Sequence, residues 1–135
     1  MKRHLPNIAG ALLGLAFIAF GLLFLLDKLP AQDPPPTDSY MAAFMGALVP
    51  SGYLQFVKGL EVVGGVLVAI PRTRNLGLLV LGPIIVNILA FHVYINEGKG
   101  LFDPVVIVVC LLAAVLLWCE RRAFVGLVQR ALPLQ

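Results

Sequence analysis

Residues 8–26 form a run of nineteen amino acids without a single charge. As a helix rising about 1.5 Å per residue, such a run reaches about 28 Å, close to the ~30 Å hydrocarbon thickness of a bilayer. A chain that carries it either crosses a membrane there or loses the run as a leader peptide. The apolar part of a leader is about 7–15 residues and ends at small residues. This run is longer, and Leu29-Pro30-Ala31 is a poor cleavage site. We therefore read a first span, preceded by Lys2, Arg3 and His4 and ended by Asp27 and Lys28.

The rest of the chain continues the pattern. Of 135 residues, 60% are hydrophobic and 13% charged, against about 45–50% and about 25% in soluble domains. A water-soluble chain this short has little interior in which to hide so much apolar surface. Further apolar segments cover residues 53–70, 76–95 and 104–119, so the expected fold is all-α: one domain over residues 1–135, built as a bundle of four transmembrane helices. Pro34, Pro35 and Pro36, flanked by Asp33 and Asp38, forbid a helix after the first span and require water. Residues 41–49 are apolar but too short to cross. They read as a short helix, interfacial or re-entrant, capped by Asp38 or Ser39 and stopped at Pro50-Ser51-Gly52. Pro71-Arg72-Thr73-Arg74 reads as a tight basic turn, and Asp103 with Pro104 as the N-cap and first position of the last span. Residues 123–132 read as an amphipathic tail on the inner surface.

The cationic residues orient the spans. Lys2, Arg3, Arg72, Arg74, Arg121, Arg122 and Arg130 fall on one side, and only Lys28 and Lys99 on the other. This bias makes the first side cytoplasmic, with both termini there, and suits a bacterial inner membrane. The net charge of +3 therefore reflects topology rather than a nucleic-acid surface. Gly10 and Gly14 form a GxxxG pair, and Gly64 and Gly65 are adjacent; both sets allow close helix approach, within one chain or in a homo-oligomer.

Polar residues inside spans are the candidate site. An ionisable group in hydrocarbon costs about 2.5–3.5 kcal/mol even on the lenient scale, so each needs a partner or water. Lys58 and Glu61 fall about 7 and 12 Å beneath the outer boundary, and His92 and Asn87 about 5 and 12 Å beneath it. Lys58 and Glu61, three apart, can share a helix face. Asn87 and His92, five apart, diverge by about 140°. Lys28 ends the first span at the same surface. Two readings stand. One is a structural clasp in which Glu61 pairs with Lys58 or Lys28, Asn87 bonds across helices and His92 reaches the surface. The other is a ligand or proton site open to the outer side, with Glu61 as the anionic group, Lys58 and Lys28 as cationic contacts and His92 as a proton-exchanging imidazole.

Other chemistries lack their residues. The sequence holds no nucleotide-binding glycine motif and no HExxH. With only His4 and His92, expected on opposite sides, a bis-histidine haem or histidine-rich metal site within one chain is excluded. Cys110 and Cys119 are nine residues apart on one helix, about 13 Å along its axis, too far for a disulfide.

The stretch FMGALVPSGYLQFVKGLEVVGGVLVAIPRTRNLGLLVLGPIIVNILAFHVYI, and most of the chain through Phe124, resembles the DoxX-like family of small four-helix membrane proteins. The blocks VKGLEVVGG (57–65) and GPIIVNILAFH (82–92) carry the resemblance most strongly, and Asp27-Lys28-Leu29 is similar to the G-x-x-K end of the family's first helix. The resemblance implies a four-helix membrane fold with Lys28, Lys58, Glu61, Asn87 and His92 on the family's recurring polar positions. It also implies a link to thiosulfate:quinone oxidoreduction or to membrane redox-stress complexes. This chain has no redox thiol pair or haem ligand pair, so a bound quinone or a redox partner would have to carry electrons. The expectation is thus an accessory membrane subunit that binds a quinone or lipid-like molecule at the outer polar cluster, with no catalytic motif of its own. The alternatives are a ligand-free assembly protein and a small oligomeric transporter; four spans alone leave little room for alternating access.

Overall fold

The computed structural model describes residues 4–131. They are helical throughout apart from loops, with no strand among them: α1 (His4–Leu25), α2 (Tyr40–Ser51), α3 (Tyr53–Ala69), α4 (Arg74–Ala90), α5 (Pro104–Cys119) and α6 (Arg121–Ala131). Lys2, Arg3 and Leu132, used above for orientation and the tail, lie outside the described residues.

Local chemistry explains most helix ends. At the end of α1, Lys28 N–H donates to the Leu23 carbonyl at 2.8 Å and Asp27 N–H to that of Phe24 at 3.1 Å. Asp27 has φ +55°, so this is the left-handed termination that usually takes glycine, formed here by an aspartate. Ser39, rather than Asp38, caps α2, its hydroxyl accepting from Ala42 N–H at 3.2 Å. Asp103 caps α5 by accepting from Val105 N–H at 3.0 Å, with Pro104 at the first position. Pro50 does not stop α2; the helix runs on through Ser51 and turns at Gly52, whose φ is +83°. A left-handed residue breaks the chain direction where a proline late in a helix does not. Thr73 closes α3 by donating its hydroxyl to the Leu67 carbonyl at 2.7 Å.

Two helical stretches are each long and apolar enough to cross a membrane, α1 (22 residues) and the continuous run Pro71–Ile95 (25 residues). Four such spans result if each bent pair counts as one, α2 with α3 (bent by 79°) and α5 with α6 (bent by 63°). The exterior agrees with lipid contact: Leu12, Leu15, Phe56, Val86 and Leu111 are all more than half exposed. An apolar exterior of this extent marks a membrane protein.

α1 runs antiparallel to α3, and α3 antiparallel to α4, while α5 packs on α1. Backbones touch between α1 and α3. A methyl group placed on Gly14 would sit 2.5 Å from the Gly65 carbonyl oxygen, and one on Gly65 would sit 2.9 Å from that of Gly14. The glycines noted in the sequence therefore serve packing within one chain. Leu13, Val68, Leu81 and Leu116 are fully buried, one from each of α1, α3, α4 and α5. This core lies toward the end of the bundle that holds the α3–α4 turn. Phe17 and Ile85 close it on the side facing the α2 end.

Beyond Ala90 the helix of α4 loosens into a π turn, Phe91–Ile95. α2 lies across this end, with Phe44 against Phe91 at 5.2 Å between ring centres. α2 buries no residue completely.

Candidate functional site

Glu61 is midway along α3 and only 4% exposed. Lys58, one turn earlier, places Nζ 3.1 Å from Glu61 Oε2 and 3.4 Å from Oε1. The three-residue spacing puts both groups on one face, as the sequence implies. Lys58 Nζ also sits 5.7 Å from the centre of the Phe24 ring, a cation–π contact with the end of α1. The pair is thus neutral as a unit and largely withdrawn from the surface.

The pair faces a cavity of about 140 Å³ between the four long helices. Its other walls are apolar: Phe17 and Phe20 of α1, Ile85 and Ile88 of α4, Val106 and Cys110 of α5. An apolar cavity of about 150 Å³ accommodates one benzene ring. Here such a ring would meet, on one wall, a carboxylate that accepts hydrogen bonds and an ammonium that donates them.

The other three residues singled out in the sequence are not gathered with this pair. Lys28 is exposed, and among the described residues no ion pair or side-chain hydrogen bond involves it. Asn87 is exposed and turns back on its own helix, Nδ2 donating to the Pro83 carbonyl at 3.0 Å. It bonds neither Glu61 nor a neighbouring helix. His92 sits in the π turn, its Nδ1 3.1 Å from the Lys99 carbonyl, to which Asn96 Nδ2 also donates at 2.8 Å. The π turn carries His92 to the loop, where it organises residues 96–100. The candidate site therefore contracts from five residues to Lys58 and Glu61. Among the described residues no cluster of His, Cys, Asp or Glu could hold a metal ion.

A second polar cluster lies at the opposite end, and sequence reasoning missed it. Arg74, which the sequence places in a tight basic turn, is 4% exposed. Its Nη2 donates to Asn7 Oδ1 at 3.0 Å and its Nε to the Val68 carbonyl at 3.4 Å, while Nη1 lies 3.7 Å from Glu120 Oε1. The guanidinium thus ties α1, α3, α4 and the α5–α6 junction. Room for it exists because residue 10 is glycine: a methyl there would stand 2.8 Å from Arg74 Nε. The available signal was Glu120, an acid on the side otherwise populated by cations.

No family model matches the chain, and no solved structure matches it. An uncharacterised protein of Bacillus subtilis, YwoB, is 37% identical to it over 75 residues, covering 56% of this chain and 47% of that relative. The chain thus spans about half the length of the curated relative it matches.

Proposed function

We propose that the chain is a DoxX-like protein whose four long helices all cross the membrane, and that it holds an amphipathic small molecule with its polar end on Lys58 and Glu61. The observation that carries this reading is the Lys58–Glu61 pair, 3.1 Å apart, placed on an otherwise apolar cavity of about 140 Å³. Buried charges are costly and need a reason. A head group with both a donor and an acceptor exchanges hydrogen bonds with Glu61 and Lys58 together. The volume favours a single ring over a phospholipid head with its glycerol, so a quinone in its hydroxyl-bearing quinol form, which donates to Glu61 and accepts from Lys58, is the preferred occupant. In this reading the protein serves as an accessory subunit of a membrane redox or stress-related complex, in a bacterial inner membrane, with both ends cytoplasmic as the cation bias indicates. α3 and α5, with 17 and 16 residues, lie at about the shortest length that crosses a bilayer.

A ligand-free assembly role is the second reading. It is favoured by the way Lys58 and Glu61 satisfy each other within one helical turn. The two separate on one experiment: purify the protein in nanodiscs, extract it and identify co-purifying molecules by mass spectrometry, alongside Glu61→Gln. The proposal expects a defined amphipathic molecule near one per protein, reduced about tenfold or more by Glu61→Gln, since a charged hydrogen bond contributes about 1.5–3 kcal/mol. Identical bulk lipid in both preparations would leave the pair as helix glue.

A further inference from the structure

A groove of about 310 Å³ opens between α4 and α5, and its walls include Leu89, Phe102, Ile107 and Leu111. Two more of its lining residues, Val106 and Cys110, also line the cavity of the Lys58–Glu61 pair. The groove and the cavity are therefore adjacent and meet at Val106 and Cys110. α4 and α5 pack against each other far less than α3 and α4 or α1 and α5 do. Leu111, on the groove, is 61% exposed and faces the surroundings of the bundle.

We infer that this groove holds the apolar chain of the molecule whose polar end sits on Lys58 and Glu61, and that the molecule reaches the cavity sideways from the bilayer. The inference rests on the head-group reading above and adds the path and the ligand's second half. Every lining residue of the groove is apolar apart from the thiol of Cys110, so nothing there selects a polar chain. A molecule dissolved in lipid needs no aqueous route. The loosely packed seam between α4 and α5 leads it toward the cavity that Lys58 and Glu61 line. The occupant is one hydrocarbon chain attached to a single hydrogen-bonding ring.

The test uses the full chain in nanodiscs and two probes, 4-methylphenol and 4-decylphenol, which share a ring and hydroxyl and differ in the chain. Affinities are read by saturation-transfer NMR for the wild type, for Leu111→Trp in the groove, and for Leu15→Trp on the exposed face of α1. Comparing variants with one probe cancels its partitioning into lipid. Leu111→Trp is expected to weaken 4-decylphenol about tenfold, the contact of roughly two methylenes, while 4-methylphenol changes less than about twofold and Leu15→Trp changes neither. Equal loss in both tryptophan variants, or no loss in Leu111→Trp while both probes bind, overturns the groove and leaves the head-group site standing. If neither probe binds any form, the head-group reading falls and the groove falls with it.

Discussion

Replacing Arg74 by alanine is expected to destabilise the protein by about 3 kcal/mol or more, the usual result of removing one partner from a buried charged cluster. Three interactions disappear at once, to Asn7, to the Val68 carbonyl and to Glu120. The void lies where four helices meet, and the Glu120 carboxylate loses its cation. Glu120 keeps part of its side chain in contact with the surroundings, at 27% exposure, and its separation of 3.7 Å makes it the loosest of the three. Glu120→Gln is therefore expected to cost only about 1 kcal/mol or less. Arg74→Lys should fall between, because an ammonium on a flexible stem cannot meet three partners with the planar fork of a guanidinium. Denaturant titration in a mild detergent, followed by far-ultraviolet circular dichroism, orders the three variants. An Arg74→Ala protein as stable as the wild type would remove the cluster from the list of things that hold the bundle together.

Gly14→Leu should be comparably damaging through packing alone. The α1 and α3 backbones meet at Gly14 and Gly65, and a methyl at residue 14 would already lie 2.5 Å from one carbonyl oxygen and 2.8 Å from the Ala69 Cβ. Backbone cannot swing aside as a flexible side chain does, so the helices must separate. Overpacking of this kind costs about 1–3 kcal/mol, and here it also parts α1 from the wall that carries Lys58. The informative control is Gly59→Ala, also in α3, where an added methyl meets nothing within 4 Å. That change should be neutral or stabilising by about 0.5–1 kcal/mol, because alanine restricts the unfolded chain. The same denaturation assay reads both. If both glycine replacements behave alike, the close approach of α1 and α3 is not what those glycines provide.

The contrast between Asp103 and Arg74 shows what was legible in the sequence. Asp103-Pro104 marks a helix start because a carboxylate and a backbone N–H two residues away settle it between themselves. Lys58 and Glu61 were equally readable, since three residues on a helix place them together whatever surrounds them. Arg74 was not, because its burial depends on Asn7, 67 residues earlier, on the absence of a side chain at residue 10, and on Glu120. By itself it looks like one more cation at a membrane edge. In the clasp reading Asn87 bonds across helices, but its side chain finds the Pro83 carbonyl one turn back, an option that depth matching does not reveal. His92 was placed at a depth by counting a regular helix; the π turn from Phe91 alters the phase and delivers it to the loop. The cavity itself is a product of how α1, α3, α4 and α5 meet, and no local pattern announces it.

The claim on which the cavity's meaning depends is that α1, α3, α4 and α5 each cross the bilayer, so that Lys58 and Glu61 lie within it. Cysteine accessibility tests this most directly. In a chain freed of its own thiols by Cys110→Ala and Cys119→Ala, single cysteines are introduced as Asp33→Cys, Arg72→Cys, Glu97→Cys and Gln129→Cys. Each is then treated with a membrane-impermeant maleimide in intact cells and in inverted vesicles. Four crossings predict that residues 33 and 97 label from outside the cell, and residues 72 and 129 only from the inverted side. Residues 72 and 97 labelling from the same side would mean that the run containing α4 does not cross. Residues 33 and 72 doing so would mean the same for α3, and either result would contradict a binding site held inside a four-span bundle.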